Sequence, residues 1–280
     1  MHNRFYAIIF ATESRSTATT DFTSKATEGM KINILQTDIH WGNPIDNMQS
    51  AERLMDSAPE ADLCVLPEMW NTGFMTDGRP PRHDEALEWM IAQARQRRCA
   101  VCGSMAVTDD DDQLSNRLHF VWPDGSVACY DKRHLFSYGG EDKLFHKGTE
   151  RTIVSFQGMR LLLAVCYDLR FPVWLRNRGD YDAMVIVANW PESRRRVWDV
   201  LLQARALENQ CYVVAANRVG NDPTSHYSGG SYIIDAKGRL LASDNGSEEV
   251  VSGLIEQEPL ATFRNRFPVL PDGDDFKLNI

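Results

Sequence analysis

An α/β sandwich with a mixed sheet is the fold class this chain predicts, and three observations predict it. Apolar runs of strand length alternate with amphipathic helical stretches in the first part of the sequence. In the middle, strand pairs follow one another across tight turns. No linker-like shift in composition divides the chain after residue 30, so one domain is expected. The 280 residues are 43% hydrophobic and 25% charged, with 18 Gly and 12 Pro, which are ordinary globular values.

The elements follow in order. Ile32 to Gln36 reads as a short strand. Asn43-Pro44 supplies an N-cap with proline at the first helical position, and Ile45, Met48, Ala51, Met55 and Ala58 continue at helical spacing. Ala61 to Leu66 is an apolar strand that stops at Pro67-Glu68. His83 to Arg98 is a second amphipathic helix, with Leu87, Met90, Ile91 and Ala94 on one stripe. Cys99 to Val107 is a strand, an acidic loop Asp109 to Asp112 follows, and Arg117 to Trp122 is the next strand. Pro123-Asp124-Gly125 turns the chain into Val127 to Tyr130, which leads to Asp131-Lys132. Thr152 to Phe156 and Arg160 to Val165 flank a turn at Gly158. Ala183 to Ala188 is a buried strand and Val197 to Asn209 a helix. Tyr212 to Ala216, Ser231 to Ile234 and Val250 to Ile255 close the series as strands.

Charge and cysteine content exclude several classes of function. With 30 basic against 39 acidic side chains the net charge is −9, so nucleic acid and anionic membrane surfaces are not expected as partners. Arg194-Arg195-Arg196 is the single basic cluster and reads as a solvated helix face or a local anion contact. No stretch approaches the roughly 20 apolar residues of a membrane span. The six cysteines, Cys64, Cys99, Cys102, Cys129, Cys166 and Cys211, sit mostly inside apolar strand-like runs. That pattern suits reduced, buried thiols in a cytoplasmic protein. Cys99 and Cys102 form a CxxC, yet along a strand they point to opposite faces, and no partner motif at metal spacing accompanies them. No metal and no organic cofactor is expected. Residues 1–29 read as a disordered extension or an over-assigned start, 30–258 as the folded domain, and 259–280 as a C-terminal tail packing at a dimer interface.

Three chemically distinct residues share one structural context. Glu68, Lys132 and Cys166 each stand directly after a strand, with turn residues behind them, and strand ends converge on the ligand crevice of layered α/β folds. Cys166 ends the apolar run Leu161 to Val165 and is followed by Tyr167-Asp168-Leu169-Arg170-Phe171-Pro172. A thiol so placed is either a nucleophile or a small buried hydrophobe. A carboxylate able to take its proton and an ammonium able to hold an oxyanion favour the first reading. Taken singly, each residue is equally a surface group or a cap.

Leu66-Pro67-Glu68, Tyr130-Asp131-Lys132-Arg133-His134-Leu135-Phe136 and Cys166 through Pro172 resemble the nitrilase superfamily of carbon–nitrogen hydrolases. Asn189-Trp190-Pro191, Gln203 through Asn209 and Ala216-Asn217-Arg218-Val219-Gly220 extend the similarity over about residues 31–258. The resemblance implies a four-layer α-β-β-α sandwich, pairing into homodimers, with Glu68, Lys132 and Cys166 as the catalytic triad. It also implies a second active-site glutamate shortly after the lysine, for which Glu141 is the candidate. The segments around Phe74-Met75-Thr76 and Tyr167 to Arg170 are similar to the omega-amidase branch, whose members hydrolyse 2-oxoglutaramate and related omega-amides.

A dicarboxylate monoamide needs a cation at the end far from the scissile amide, and an arginine fork matches a carboxylate. Arg170 is assigned that role; a structural pair with Asp168 is its competing explanation. Tyr167 contributes its backbone N–H to the oxyanion site, and Trp190 and Phe74 either line the pocket or pack the core. Other activities compete on the same residues: nitrile or N-carbamoyl amine hydrolysis, a papain-like pair with His134 or His226 as base, and a catalytically silent interaction protein.

Overall fold

A computed structural model describes residues 29–74, 83–108 and 113–278 of the chain. Residues 1–28, Met75-Thr76 and the acidic stretch 109–112 lie outside the described residues.

Two mixed six-stranded sheets face one another. The first is assembled from β1 (Met30–Gln36), which leads into helix α1 (Pro44–Ser57), and from β2 (Leu63–Val65), which precedes helix α2 (His83–Arg97). Strands β3 (Ala100–Thr108), β4 (Leu114–Val121) and β5 (Val127–Asp131) then run as a meander. The second sheet takes β6 (Ile153–Phe156), β7 (Met159–Val165), the short helix α3 (Pro172–Leu175), β8 (Ala183–Val187), helix α4 (Arg195–Asn209) and β9 (Tyr212–Ala216). A two-stranded hairpin of β10 (Val219–Asn221) and β11 (His226–Ser228) stands apart from both sheets. Strands β12 (Tyr232–Ile234), β13 (Leu240–Ser243) and β14 (Glu249–Ile255) and helix α5 (Gln257–Arg266) complete the chain.

The spatial orders are β14-β1-β2-β3-β4-β5 and β13-β12-β9-β8-β7-β6. In each sheet three neighbouring strands are parallel, β1-β2-β3 and β7-β8-β9, and antiparallel strands flank them. The last strand, β14, crosses back to the first sheet and pairs with β1 from Met30–Ile255 to Gln36–Glu249. The first and last strands thereby close on one another.

Alternation along the strands makes the layers. On β1, Ile32 and Ile34 point into the space between the sheets, while Leu35 points to α1 and α2. Along β3 and the residue before it, the same rule sends Ala100 and Cys102 inward and Cys99, Val101 and Met105 to the helices, so the CxxC does open to opposite faces. Leu161, Leu163 and Val165 of β7 meet them from the second sheet. Helix α4 seals the outer face of that sheet with Trp198, Leu202 and Ala206. The result is helix, sheet, sheet, helix, as the resemblance implied.

The expected elements are present with ends displaced by a few residues. Asn43 caps α1 as expected, its side-chain oxygen accepting from the Asp46 N–H at 3.2 Å. Strands β10 and β11, Val-Gly-Asn and His-Tyr-Ser, hold no apolar run and so carry no strand signal in the sequence. Helix α5 spans the boundary set at 258. Its Leu260 is buried, and its Arg264 donates to Asp182 Oδ1 at 2.7 Å and to the Gln210 carbonyl at 2.9 Å. The cysteines, expected mostly as buried thiols, are buried at Cys64, Cys99, Cys102 and Cys211 and half-buried at Cys166; Cys129 is exposed. The reason is its place on β5, an edge strand, where Val127 and Cys129 face away from the sandwich.

Replacing Leu163 by Ala opens a cavity at the centre of the two sheets. The expected loss is about 2–5 kcal/mol, measured as a shift of the urea midpoint with an unchanged slope.

Candidate active site

Strand ends at one edge of the sandwich deliver the reactive groups. Beyond β2 the Leu66 N–H donates to the Cys102 carbonyl at 2.7 Å, and the Met69 N–H donates to Ser104 Oγ at 3.1 Å. The turn carrying Glu68 is thus laid against β3. Gly103 permits the approach: a Cβ there would stand 2.8 Å from the Leu66 Cβ and 2.9 Å from the Trp70 ring. Lys132 leaves β5 with its backbone N–H on the Asn116 carbonyl at 2.9 Å. Glu141 opens a short 3-10 turn after Gly140, whose φ of +79° reverses the chain.

These three side chains meet in a buried ion cluster. Lys132 Nζ donates to Glu68 Oε1 at 2.8 Å and to both Glu141 oxygens at 2.9 and 2.8 Å. Burial by itself depresses the ammonium, but Glu141 and Glu68 together outweigh it and hold Lys132 above its ordinary range. Glu141 is raised, by burial first and by Glu68 as a like charge, with Lys132 acting against both. Backbone and amide donors satisfy the remaining lone pairs. Asn189 N–H donates to Glu68 Oε2 at 2.9 Å, and Phe136 N–H to Glu141 Oε2 at 2.6 Å. Asn116 Nδ2 bridges the two carboxylates at 2.8 and 3.1 Å.

Cys166 follows β7 with φ of +43°, a left-handed conformation that costs a non-glycine residue about 1–3 kcal/mol. The turn is held open from below. Asp168, fully buried, accepts from the Val165 N–H at 3.0 Å, from the Tyr130 hydroxyl at 2.8 Å, and from the His134 N–H and Nδ1 at 3.0 and 2.8 Å. Trp174 Nε1 donates to the same Tyr130 oxygen at 3.0 Å. Burial pushes the Cys166 thiol well above its ordinary range; Glu68 pushes the same way, and Lys132 opposes. The resting sulfur therefore keeps its proton at neutral pH, beside a carboxylate.

A cavity of about 390 Å³ opens over these groups, and all eight residues singled out in the sequence line it: Glu68, Phe74, Lys132, Glu141, Cys166, Tyr167, Arg170 and Trp190. Phe74 packs on Phe145 at 5.7 Å, with the Lys132 ammonium 5.9 Å from its ring. Trp190 both lines the cavity and packs on Trp198 at 5.2 Å. Arg170 lies over Trp190, its guanidinium 5.2 Å from the ring centroid. Its competing pairing with Asp168 is not made, since His134, Tyr130 and Val165 occupy that carboxylate. His134 is equally committed, stacked on Phe171 at 3.8 Å, and His226 is exposed on β11. Neither histidine lines the cavity, so the papain-like pair is not assembled.

Several lining residues were not anticipated. Arg194, from the basic cluster, sits over Phe136 at 5.2 Å, whereas Arg195 turns to Asp199 and Tyr232. The tip of the β10–β11 hairpin brings Asp222 and Tyr227, hydrogen-bonded at 2.6 Å, over the opening. Buried Arg218 anchors that hairpin through Asp38 Oδ1 and the Ile39 carbonyl, both at 3.1 Å. Asn116 had one legible signal, an amide inside an apolar strand. Among the described residues no group of three or more His, Cys, Asp or Glu side chains could hold a metal ion.

Comparison with known proteins places the chain among relatives. The model of the carbon-nitrogen hydrolase family matches residues 31–265. The omega-amidase YafV of Yersinia enterocolitica is 40% identical over 253 residues, 89% of this chain and 98% of that protein. The 2-oxoglutaramate amidase of Bacillus subtilis is 35% identical, covering 86% of this chain and 96% of its own length. Among solved structures, XC1258 from Xanthomonas campestris, a CN-hydrolase superfamily protein with an arsenic adduct in its active site, superposes with a TM-score of 0.84. It is 38% identical and covers 90% of this chain and 100% of its own.

Because the Cys166 proton is held above the usual thiol range, carbamidomethylation of this residue in the free enzyme should climb about tenfold per pH unit from neutrality upward. Peptide mass mapping reads it site by site. A plateau at neutral pH would indicate a pre-formed thiolate instead.

Proposed function

From the premise that this chain belongs to the carbon–nitrogen hydrolase family and hydrolyses amide C–N bonds, we propose that its substrates are the omega-amides of small dicarboxylates, 2-oxoglutaramate among them. The observation that carries this reading is a single cavity with a thiol, a buried carboxylate–ammonium cluster and two arginines. Arg170 and Arg194 each rest on an aromatic face and form no ion pair among the described residues. An arginine left without an acid is available to one brought by the ligand.

The chemistry follows from the protonation states. Cys166 rests as a thiol, so attack on the amide carbonyl requires Glu68 to accept its proton as the C–S bond forms. Lys132 and the Tyr167 N–H receive the developing oxyanion, a contribution of about 3–4 kcal/mol per donor in comparable acyl transfer. Glu68 then passes the proton to the departing nitrogen, and ammonia leaves. Water, deprotonated by Glu68, attacks the thioester carbonyl, the C–S bond breaks, Glu68 returns the proton to the Cys166 sulfur, and the dicarboxylate is released. Glu141 acts as a positioning residue that fixes the Lys132 ammonium. Arg170 holds the far carboxylate of the substrate, with Trp190 and Phe74 as apolar walls and Arg194 adding positive potential at the cavity.

The protein is further proposed to act as a homodimer in the cytoplasm. Val173 on α3 and Val200 and Leu207 on α4 are 50%, 55% and 51% exposed, and an apolar surface of this kind suits a subunit contact. All six cysteines are free, which suits a reducing compartment. No described helix is long and apolar enough to cross a membrane.

An ammonia-release assay across 2-oxoglutaramate, 2-oxosuccinamate, glutamine, an N-carbamoyl amino acid and a nitrile tests the substrate class. The omega-amides of 2-oxo acids should lead; a lead by the carbamoyl compound or the nitrile would overturn it. Cys166→Ala should abolish ammonia release while the circular dichroism spectrum is kept. Arg170→Ala should lower kcat/KM on 2-oxoglutaramate by on the order of tenfold to a hundredfold, the worth of a charged hydrogen bond, and barely touch a neutral amide of equal length. Equal losses on both would remove Arg170 from carboxylate recognition.

A further inference from the structure

A second cleft, of about 570 Å³, lies at the other end of the first sheet, where β1, β2 and β3 begin. It is lined by Lys31 and Asn33, by the segment joining α1 to β2, and by Arg97, Arg98 and Cys99 between α2 and β3. Glu68 stands beyond the opposite end of β2, so this cleft is separate from the amidase site. Two thiols form part of its wall. Cys64 and Cys99 both lie on the helix-facing side of the sheet, and their sulfurs are 3.5 Å apart, with the Cys99 S–H donating to the Cys64 sulfur.

That separation is van der Waals contact between sulfurs. Shortening it by about 1.5 Å gives a disulfide, whose S–S length is about 2.05 Å. The two cysteines are far apart in sequence: Cys64 sits in the middle of β2, and Cys99 in the link from α2 to β3. The link carries Arg98 at φ of +52°, a left-handed residue that turns the chain and presents the next side chain to β2.

We propose that Cys64 and Cys99 are a redox-active dithiol, oxidised to a disulfide by a hydroperoxide that enters through this cleft, independently of the catalytic thiol. The Cys64 sulfur attacks one peroxide oxygen; the O–O bond breaks, the thiol proton leaves with the departing oxygen as water from hydrogen peroxide or as an alcohol from an organic hydroperoxide, and Cys64 becomes a sulfenic acid. The Cys99 sulfur then attacks the Cys64 sulfur, the S–O bond breaks, and a water molecule carries away the Cys99 proton. Two thiols lose two electrons and one hydroperoxide gains them.

The electrostatics of the pair assign the order. The S–H donated by Cys99 lowers the Cys64 thiol, burial opposes this, and the Arg97 guanidinium adds to the lowering. Cys99 moves the other way, raised by its donation to Cys64 and by burial. Cys64 is therefore the attacking sulfur and Cys99 the resolving one. Cys166 is pushed up by burial and by Glu68, which leaves it the slower thiol toward peroxide.

The test uses the full-length, pre-reduced enzyme and hydrogen peroxide in small excess at pH 7. Free thiols are blocked with one maleimide, the sample is reduced, and newly released thiols receive an isotopically heavy maleimide before peptide mapping. Cys64 and Cys99 should carry heavy label in equal amount and lose about 2 Da as a pair beforehand, while Cys102 and Cys166 carry the light one. Their oxidation should outpace loss of ammonia release by at least about tenfold, and dithiothreitol should reverse it. In Cys99→Ser, Cys64 has no resolving partner and should advance to a sulfinic acid, a gain of about 32 Da that dithiothreitol does not reverse. Light label on both residues when Cys129 or Cys166 is already oxidised would overturn the proposal, as would a Cys64 disulfide only between two chains. Activity is read separately, so a failure here leaves the amidase reading intact.

Discussion

One ammonium between two carboxylates sets the terms for the rest of this molecule. Lys132, Glu68 and Glu141 are nearly or wholly inaccessible to water, at 1%, 1% and 0% exposure. Taking such charges out of water costs several kcal/mol per ion, and mutual attraction offsets that only if every lone pair and proton is matched. The matching groups come from four places: Asn116 on β4, the Asn189 N–H after β8, the Phe136 N–H after β5, and the chain reversal at Gly140 that brings Glu141 back. Removing the Lys132 ammonium leaves both carboxylates without a counter-charge, a penalty of about 3–5 kcal/mol. Both sheets are therefore bound to the cluster: Asn116 and Lys132 come from the first and Asn189 from the second, so their spacing must be held to within a hydrogen bond.

The Cys166 turn rests on a separate polar core. Asp168 accepts four hydrogen bonds, two of them from backbone N–H groups, and so fixes both the end of β7 and the chain after β5. A strained Cys166 backbone persists because the groups on either side of it are overdetermined. Thiol and ammonium thus reach the cavity on segments tied to one buried carboxylate, and their relative position does not depend on flexible loops.

How much of this was legible in the sequence divides by physical origin. Strand ends were legible because burial on both faces leaves continuous apolar runs that stop at a polar residue, as at Leu66-Pro67-Glu68 and Val165-Cys166. Glu141 was found through the resemblance alone, since two glycines and an acid in a turn carry no chemistry by themselves. Asn116 escaped because a side-chain amide that donates to a site looks like an amide anywhere, and Asn189 because it contributes its backbone N–H, which no side-chain type reveals. Arg194 escaped because a run of three arginines reads as one solvated face, whereas the start of α4 turns successive residues in different directions. The β10–β11 hairpin escaped because its two short strands are polar and lack the apolar run that made β2 and β12 readable. Cys129 was misjudged because apolar neighbours do not reveal that a strand is an edge.

The excess of acid over base at the buried cluster also governs the end of the catalytic cycle. Amide hydrolysis replaces an uncharged group by an anion at the very point where two carboxylates already share a single ammonium. In a site of low effective dielectric, like charges at such separations repel by several kcal/mol. The substrate enters without meeting that repulsion, and the product is created inside it. Departure of the acid is thus favoured by the charge excess of the cluster itself, fixed by three side chains.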